Sequence, residues 1–268
     1  MASLRNLLLT CAATLLLTTW HAGVAGEAPA DARKVIVFGE LHGTVEMPEY
    51  FEQQVMELAA TSERPLLIGL EVPQRALEDA KKEAANCLHQ HGCGQGLYKS
   101  PFWAQSRDGR SSKAYFALIA ALHEMELANE VRVVSIDRRK NGREPFGEIA
   151  ADSLTQAMAG STVLVLTGNG HARLDGSANS VASALQDRHI PVASLILQGT
   201  GGSAWACSGG SCGVMDVPGN ECNPAIRPTT RTGQEQFVCL GRLTASPPLV
   251  DYEAFNRDGA EHHRSQGE

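Results

Sequence analysis

Residues 34–44 read KVIVFGELHGT, and the first six of them carry the fold. A run of Val, Ile, Val and Phe with almost no polar break suits a strand covered on both faces. Such strands belong to parallel sheets sandwiched between helices, because a one-sided strand would alternate apolar and polar residues. Four further runs share this character: PLLIGLEV (65–72), VRVVSID (131–137), STVLVLTG (161–168) and PVASLIL (191–197). Helical patterns lie between them. PEYFEQQVMELAATS places Pro48 in a first turn, and QRALEDAKKEAANCL is charged on one side. SSKAYFALIAALHEMELA opens on a serine cap, FGEIAADSLTQAMAG ends at Gly160, and SVASALQDRH stops before Ile190 and Pro191. Alternating strand and helix predicts an α/β fold, a mostly parallel central sheet flanked by helices on both faces. A sixth strand, EQFVCLGRL (235–243), closes the pattern at an edge.

With 268 residues, 43% of them hydrophobic, the chain can bury one sizeable core, and a single domain is expected over residues 30–255. Residues 1–25 read as a cleaved signal peptide: Arg5 ahead of LLLTCAATLLLTTW, then small residues before Gly26. A membrane anchor is the alternative, but the apolar run is short for a span and broken by Thr and Cys. Cys11 lies too far inside that run to be a lipid-attachment site. Export, to a periplasm or to the medium, follows. Of seven cysteines, the leader removes Cys11, leaving Cys87, Cys93, Cys207, Cys212, Cys222 and Cys239. Six cysteines in an exported chain predict three disulfides. Cys87 and Cys93 are near enough to pair, while the last four allow three connectivities. Zinc held by these thiols is the competing reading, opposed by the absence of C-x-x-C pairs. Two excursions break the alternation, residues 86–110 and the loop-rich 198–234, both placed as disulfide-braced insertions near a functional rim. The tail, 256–268, is polar and expected to be disordered, with His262 and His263 solvated.

The formal charge is −7, and cleavage of the leader would remove one arginine and no acid. An acidic chain without a basic stripe excludes nucleic acid and anionic membrane surfaces as partners, and leaves a small molecule or a peptide as substrate. No G-x-S-x-G elbow is present, and GTGGSAWACSGG has glycines without the lysine of a phosphate loop.

In an open parallel sheet, ligands bind beyond the carboxyl ends of the strands. The first run delivers Glu40 and His42 to that edge, the second Glu71, the third Asp137, and the fourth Asn169, His171 and Arg173. His42 and His171 each stand in Gly-x-x-His (GELH, GNGH), where the glycine turns the chain off the strand so that the imidazole can face back over the crevice. A carboxylate at the end of PLLIGLE is expected to be partly desolvated, so Glu71 needs a cation or donors nearby, with His42, His171 and Arg173 as candidates. The structural alternative is a salt bridge between Glu71 and an arginine. SRDGRSS sets Asp108 and Arg110 before Ser111 and Ser112, as a substrate contact at a helix start or as a capped helix with an ion pair.

FGELHGT, GLEVP and GNGHAR, in this order, resemble the superfamily that groups erythromycin esterases, ChaN-like haem-binding lipoproteins and Tiki (TraB/GumN) proteins. The resemblance covers nearly the whole mature chain. By motif it implies that Glu40 and His42 take the first Glu/His pair, Glu71 the second-strand glutamate, and His171 the late histidine. It implies an esterase-like or metallopeptidase-like hydrolase, or a haem- or metal-binding protein without catalysis. GELHG has the ChaN and Tiki spacing, whereas Gly43-Thr44-Val45-Glu46 departs from the ChaN continuation.

The expected chemistry is hydrolysis of an ester or amide by activated water. A neutral His42 acts as general base, oriented by Glu40, and Glu71 holds the water or a second imidazole. His171 and Arg173 stabilise the oxyanion, and Asp108, Arg110, Asp137 and Asn169 contact substrate. Two cofactor alternatives stand beside it. Glu40, His42, Glu71 and His171 could ligate one divalent ion (Zn²⁺, Mn²⁺ or Co²⁺), or the histidines could face a haem.

Overall fold

A computed structural model describes residues 35–87, 94–105, 108–140, 144–158, 160–208, 210–219, 226–228 and 234–250. The signal peptide, the 256–268 tail with His262 and His263, and the Cys87–Cys93 pairing all involve positions outside these residues.

The five apolar runs are strands: β1 (Val35–Glu40), β2 (Leu66–Pro73), β3 (Val131–Asp137), β4 (Val163–Gly168) and β5 (Val192–Gln198). Residues 234–243 supply a shorter strand, β9 (Gln234–Cys239). These six pair parallel in the order β3-β2-β4-β1-β5-β9. The edge beyond β9 belongs to β8 (Ile226–Pro228), which runs antiparallel to it, so β9 is not the edge strand that the sequence suggests.

Side chains alternate between two cores because successive strand residues point to opposite faces. Ile36, Phe38, Leu66, Ile68, Leu70, Leu164 and Leu166 face one layer, and Val35, Val37, Leu67, Val163 and Val165 face the other. The first layer is covered by α1 (Glu46–Ala59), α2 (Gln74–Cys87), the short α3 (Pro101–Gln105) and α4 (Lys113–Leu127). The second is covered by α5 (Phe146–Ala157), α6 (Asn169–Ala172) and α7 (Val181–Asp187). Ser112 and Ser180 cap α4 and α7, their side chains accepting from the backbone N–H of Tyr115 and Ser183.

The 198–234 excursion is more regular than its composition suggests. It holds an antiparallel hairpin, β6 (Gly202–Ser208) and β7 (Ser211–Val217), in which Cys207 and Cys212 are opposed and joined by a disulfide. Cys239 is disulfide-bonded as well. Among the described residues no helix is long and apolar enough to cross a membrane.

The hairpin secures the loop after β1. The Gly43 carbonyl accepts from the backbone N–H of Trp205 at 2.8 Å and of Ser246 at 2.8 Å. Gly43 has φ +84°, and a Cβ there would lie 2.0 Å from the Trp205 carbonyl oxygen. A Cβ on Gly109 would lie 1.9 Å from the Gly43 nitrogen. Two glycines thus let three chain segments converge directly behind His42.

Candidate active site

Glu40 and Gly168 end β1 and β4 as register partners, and β2 lies on the other side of β4, so three adjacent strand ends supply the centre of the site. Between Leu70 and Pro73 the register of β2 against β3 shifts. Such an irregularity re-aims a side chain. Here it carries Glu71, whose neighbours Leu70 and Val72 point into the first core while its carboxylate faces the strand ends.

Glu71 is 3% exposed and both of its oxygens are engaged. One, Oε2, accepts from the Thr167 hydroxyl at 2.6 Å and the Gly168 N–H at 2.9 Å. The other, Oε1, accepts from Arg110 Nη1 at 2.9 Å. Two imidazoles flank this carboxylate: His42 Nε2 lies 3.7 Å from Oε2, and His171 Nε2 lies 3.9 Å from Oε1. Burial alone would raise the Glu71 pKa, but the charges of His42, Arg110 and His171 and the Thr167 hydrogen bond hold it below the usual carboxylate range.

His42 has a partner on each side. Its Nδ1 sits 2.8 Å from Oε1 of Glu40, a carboxylate that is 1% exposed. With Nδ1–H donated to Glu40, the neutral ring presents an Nε2 lone pair toward Glu71. Burial lowers the His42 pKa, yet the Glu40 hydrogen bond and the charges of Glu40 and Glu71 outweigh burial and the opposing Arg110, leaving it above the ordinary imidazole value. His171 has a parallel arrangement: Nδ1 donates to the Asn179 carbonyl at 2.7 Å, and the ring lies against Phe146 with centroids 4.4 Å apart. Gly168 stands between the two. A Cβ on it would come within 3.1 Å of His42 Nε2 and 3.7 Å of His171 Cδ2, so the glycine spares both rings a close contact.

The remaining expected residues divide. Arg110, Asp108 and Asp137 join the cluster as a charge network. Asp108 accepts from the Arg110 side chain at 2.6 Å, Asp137 lies 3.6 Å from Arg110, and Arg139 donates to both Asp137 oxygens at 2.8 Å. Arg110 therefore supplies the cation that Glu71 requires, where the strand-end reading offered His42, His171 and Arg173. Arg173 turns away from the centre, donating to Glu235 at 2.9 Å and lying over the Phe237 ring. Asn169 packs against β1, its Oδ1 2.9 Å from where a Gly39 Cβ would stand. Sequence reasoning passed over Thr167 and Arg139. The signal for Thr167 was a hydroxyl in the last turn-out of an apolar strand, and for Arg139 an arginine two residues beyond a strand-end aspartate.

Both Glu71 oxygens are held by protein donors, Oε1 by Arg110 and Oε2 by Thr167 and Gly168, while Glu40 turns one oxygen onto His42 Nδ1 and leaves Oε2 without a partner among the described residues. Among the described residues no group of three or more His, Cys, Asp or Glu side chains is arranged to hold a metal ion.

No family model matches the chain, and no curated protein matches it. Two solved structures are similar. The type III effector HopBA1 is 16% identical with a TM-score of 0.41, over 67% of this chain and 85% of that one. A structure described as bacterial protein toxins is 17% identical with a TM-score of 0.35, over 62% of this chain and 34% of that one. Likeness at this level carries no functional argument.

Proposed function

We propose that this chain is an exported hydrolase that cleaves an ester or amide bond with a water activated by the Glu40–His42 pair, without a metal ion. The observation that carries the reading is a buried carboxylate on Nδ1 of a half-buried imidazole whose Nε2 faces Glu71 beside the side-chain-free Gly168. Glu40 fixes the tautomer, so Nε2 is the basic atom. It takes a proton from water as the water oxygen attacks the carbonyl carbon, and Glu40 and Glu71 stabilise the imidazolium that forms. His171, when protonated, offers an Nε2–H to the developing oxyanion or leaving group. Glu71, already paired with Arg110, orients both rings and is not itself the base. The Cys207–Cys212 disulfide supports an oxidising compartment, periplasmic or extracellular. The motif resemblance to the erythromycin esterase and Tiki superfamily supports hydrolysis over passive ligand binding.

A panel of activated esters and short peptides, assayed before and after chelation, tests this. Turnover of one substrate class that survives chelation is the expected result. Loss of turnover on chelation with recovery on Zn²⁺, Mn²⁺ or Co²⁺, or no turnover of any member, overturns it.

The raised His42 pKa has a direction that kinetics can read. The base form exists only above it, so kcat/KM should climb with pH through an apparent pKa above the ordinary 6.5. Stability runs the other way. A histidine held cationic by the fold contributes stability below its unfolded pKa and loses it as pH rises through the folded one. A rate profile whose acid limb lies below 6.5 would contradict the assignment.

A further inference from the structure

We propose that Asn179 is a positioning residue: its backbone carbonyl and its side chain together bracket His171, so that the ring carries its hydrogen on Nδ1 and turns Nε2 toward Glu71. Every contact of the bracket is present in the structure. The Asn179 carbonyl oxygen lies 2.7 Å from His171 Nδ1, and a carbonyl can only accept, so the shared hydrogen belongs to the ring. The Asn179 side chain reaches the other way, its Oδ1 accepting from the Phe146 N–H at 3.3 Å. Phe146 opens α5, and Pro145 before it offers no capping side chain, so Asn179 satisfies one of the orphan donors of that helix from a distant segment. The ring of the same Phe146 lies against the imidazole, with the Arg139 guanidinium over it at 4.9 Å from its centroid. One residue on, the Ser180 hydroxyl donates to the His171 carbonyl at 3.2 Å. Gly147 lets the two segments meet, since a Cβ there would stand 2.5 Å from the Ser180 carbonyl oxygen and 2.7 Å from that of Ala178. Asn179 itself is exposed, so replacing it opens no cavity in the core.

The bracket decides which proton the ring can give. A neutral imidazole free in water favours the Nε2–H form, and in a protein the partner of one ring nitrogen sets the state of the other. Held on the Asn179 carbonyl, neutral His171 keeps Nδ1–H and presents a lone pair at Nε2, so only its imidazolium donates from Nε2. The use of that donor in catalysis rests on the reading of His171 given above, whereas the tautomer does not. NMR of the ring nitrogens in the full-length mature protein, with His171 neutral and His171→Gln assigning the signals, needs no substrate. Wild type should show Nδ1–H, and Asn179→Ala the mixed pattern of a free imidazole. Asn179→Asp, which keeps an acceptor for the Phe146 N–H, should restore the wild-type pattern. Should Asn179→Ala fail to fold, Gly147→Ala decides on the same spectrum, because it drives the bracket off α5 while leaving Asn179 in place. Where a substrate is in hand, kcat of Asn179→Ala should fall about fivefold with KM unchanged, the size of one net hydrogen bond. A wild-type ring protonated on Nε2, or an Asn179→Ala spectrum that keeps the wild-type pattern, overturns the proposal whatever becomes of the hydrolase reading. Absence of turnover in wild type, with Nδ1–H present there and lost in Asn179→Ala, would overturn the hydrolase reading and leave the bracket standing.

Discussion

If His42 is the general base proposed above, replacing it with alanine should lower hydrolysis by about 10²–10⁴-fold, the contribution of a positioned general base. The substitution has a second effect that must be separated from the first. Glu40 is buried, and His42 is its hydrogen-bond partner, so the alanine variant leaves a carboxylate with neither oxygen satisfied. Breaking a buried charged contact by removing one partner is costly in itself. The informative comparison is therefore the Glu40→Gln/His42→Ala double variant, in which the stranded charge is gone. Its melting temperature should lie closer to wild type than that of His42→Ala, while turnover stays abolished. A double variant that recovers both stability and activity would mean that His42 serves the fold rather than the chemistry. His171→Ala should also depress turnover, but with less harm to stability, because its ring is 29% exposed and its Nδ1 partner is a neutral carbonyl.

Arg110→Ala should be the most destabilising single change at the site. The guanidinium is 17% exposed and meets the buried Glu71 at 2.9 Å, with Asp108 and Asp137 on its other sides. Its loss strands a buried carboxylate, a change of about 3–5 kcal/mol, which for a domain of this size is a fall in Tm on the order of 10 °C. Thermal unfolding across pH adds a sharper test. While His42 is cationic it partly replaces the missing charge, so the penalty should grow as pH rises through the His42 pKa. Adding Glu71→Gln to Arg110→Ala should recover much of the loss, since an amide costs far less to bury than an unpaired carboxylate. If Arg110→Ala melts within a degree or two of wild type, the ion pair is not what holds Glu71.

The parallel strands were legible because they are buried on both faces, which leaves near-continuous runs such as VIVFG and VLVL. The β6–β7 hairpin was not, for the converse reason. Most of its residues are only partly covered, so small and polar residues stand where a core strand would carry Val or Ile. The order of β9 and β8 at the sheet edge depends on pairing between segments, about which a single strand's composition says nothing. At the site, residues directly after strands were found by position along the chain: Glu40, His42, Glu71, Asp137 and His171. Arg173 met the same rule and still points elsewhere, because Glu235 from β9 captures it. Arg110 was noticed for a serine-capped turn, yet its partner Glu71 lies 39 residues away and no local pattern links them.

The clamp on Gly43 has a consequence for when the molecule becomes competent. The loop bearing His42 is completed by Trp205 and Ser246, so the first fifth of the chain waits on residues synthesised near its end. Contacts of such long sequence separation form late and slowly. A chain lacking these later residues thus holds every strand tip of the site, and His171 with its Asn179 and Phe146 contacts, yet leaves the His42 loop without its clamp.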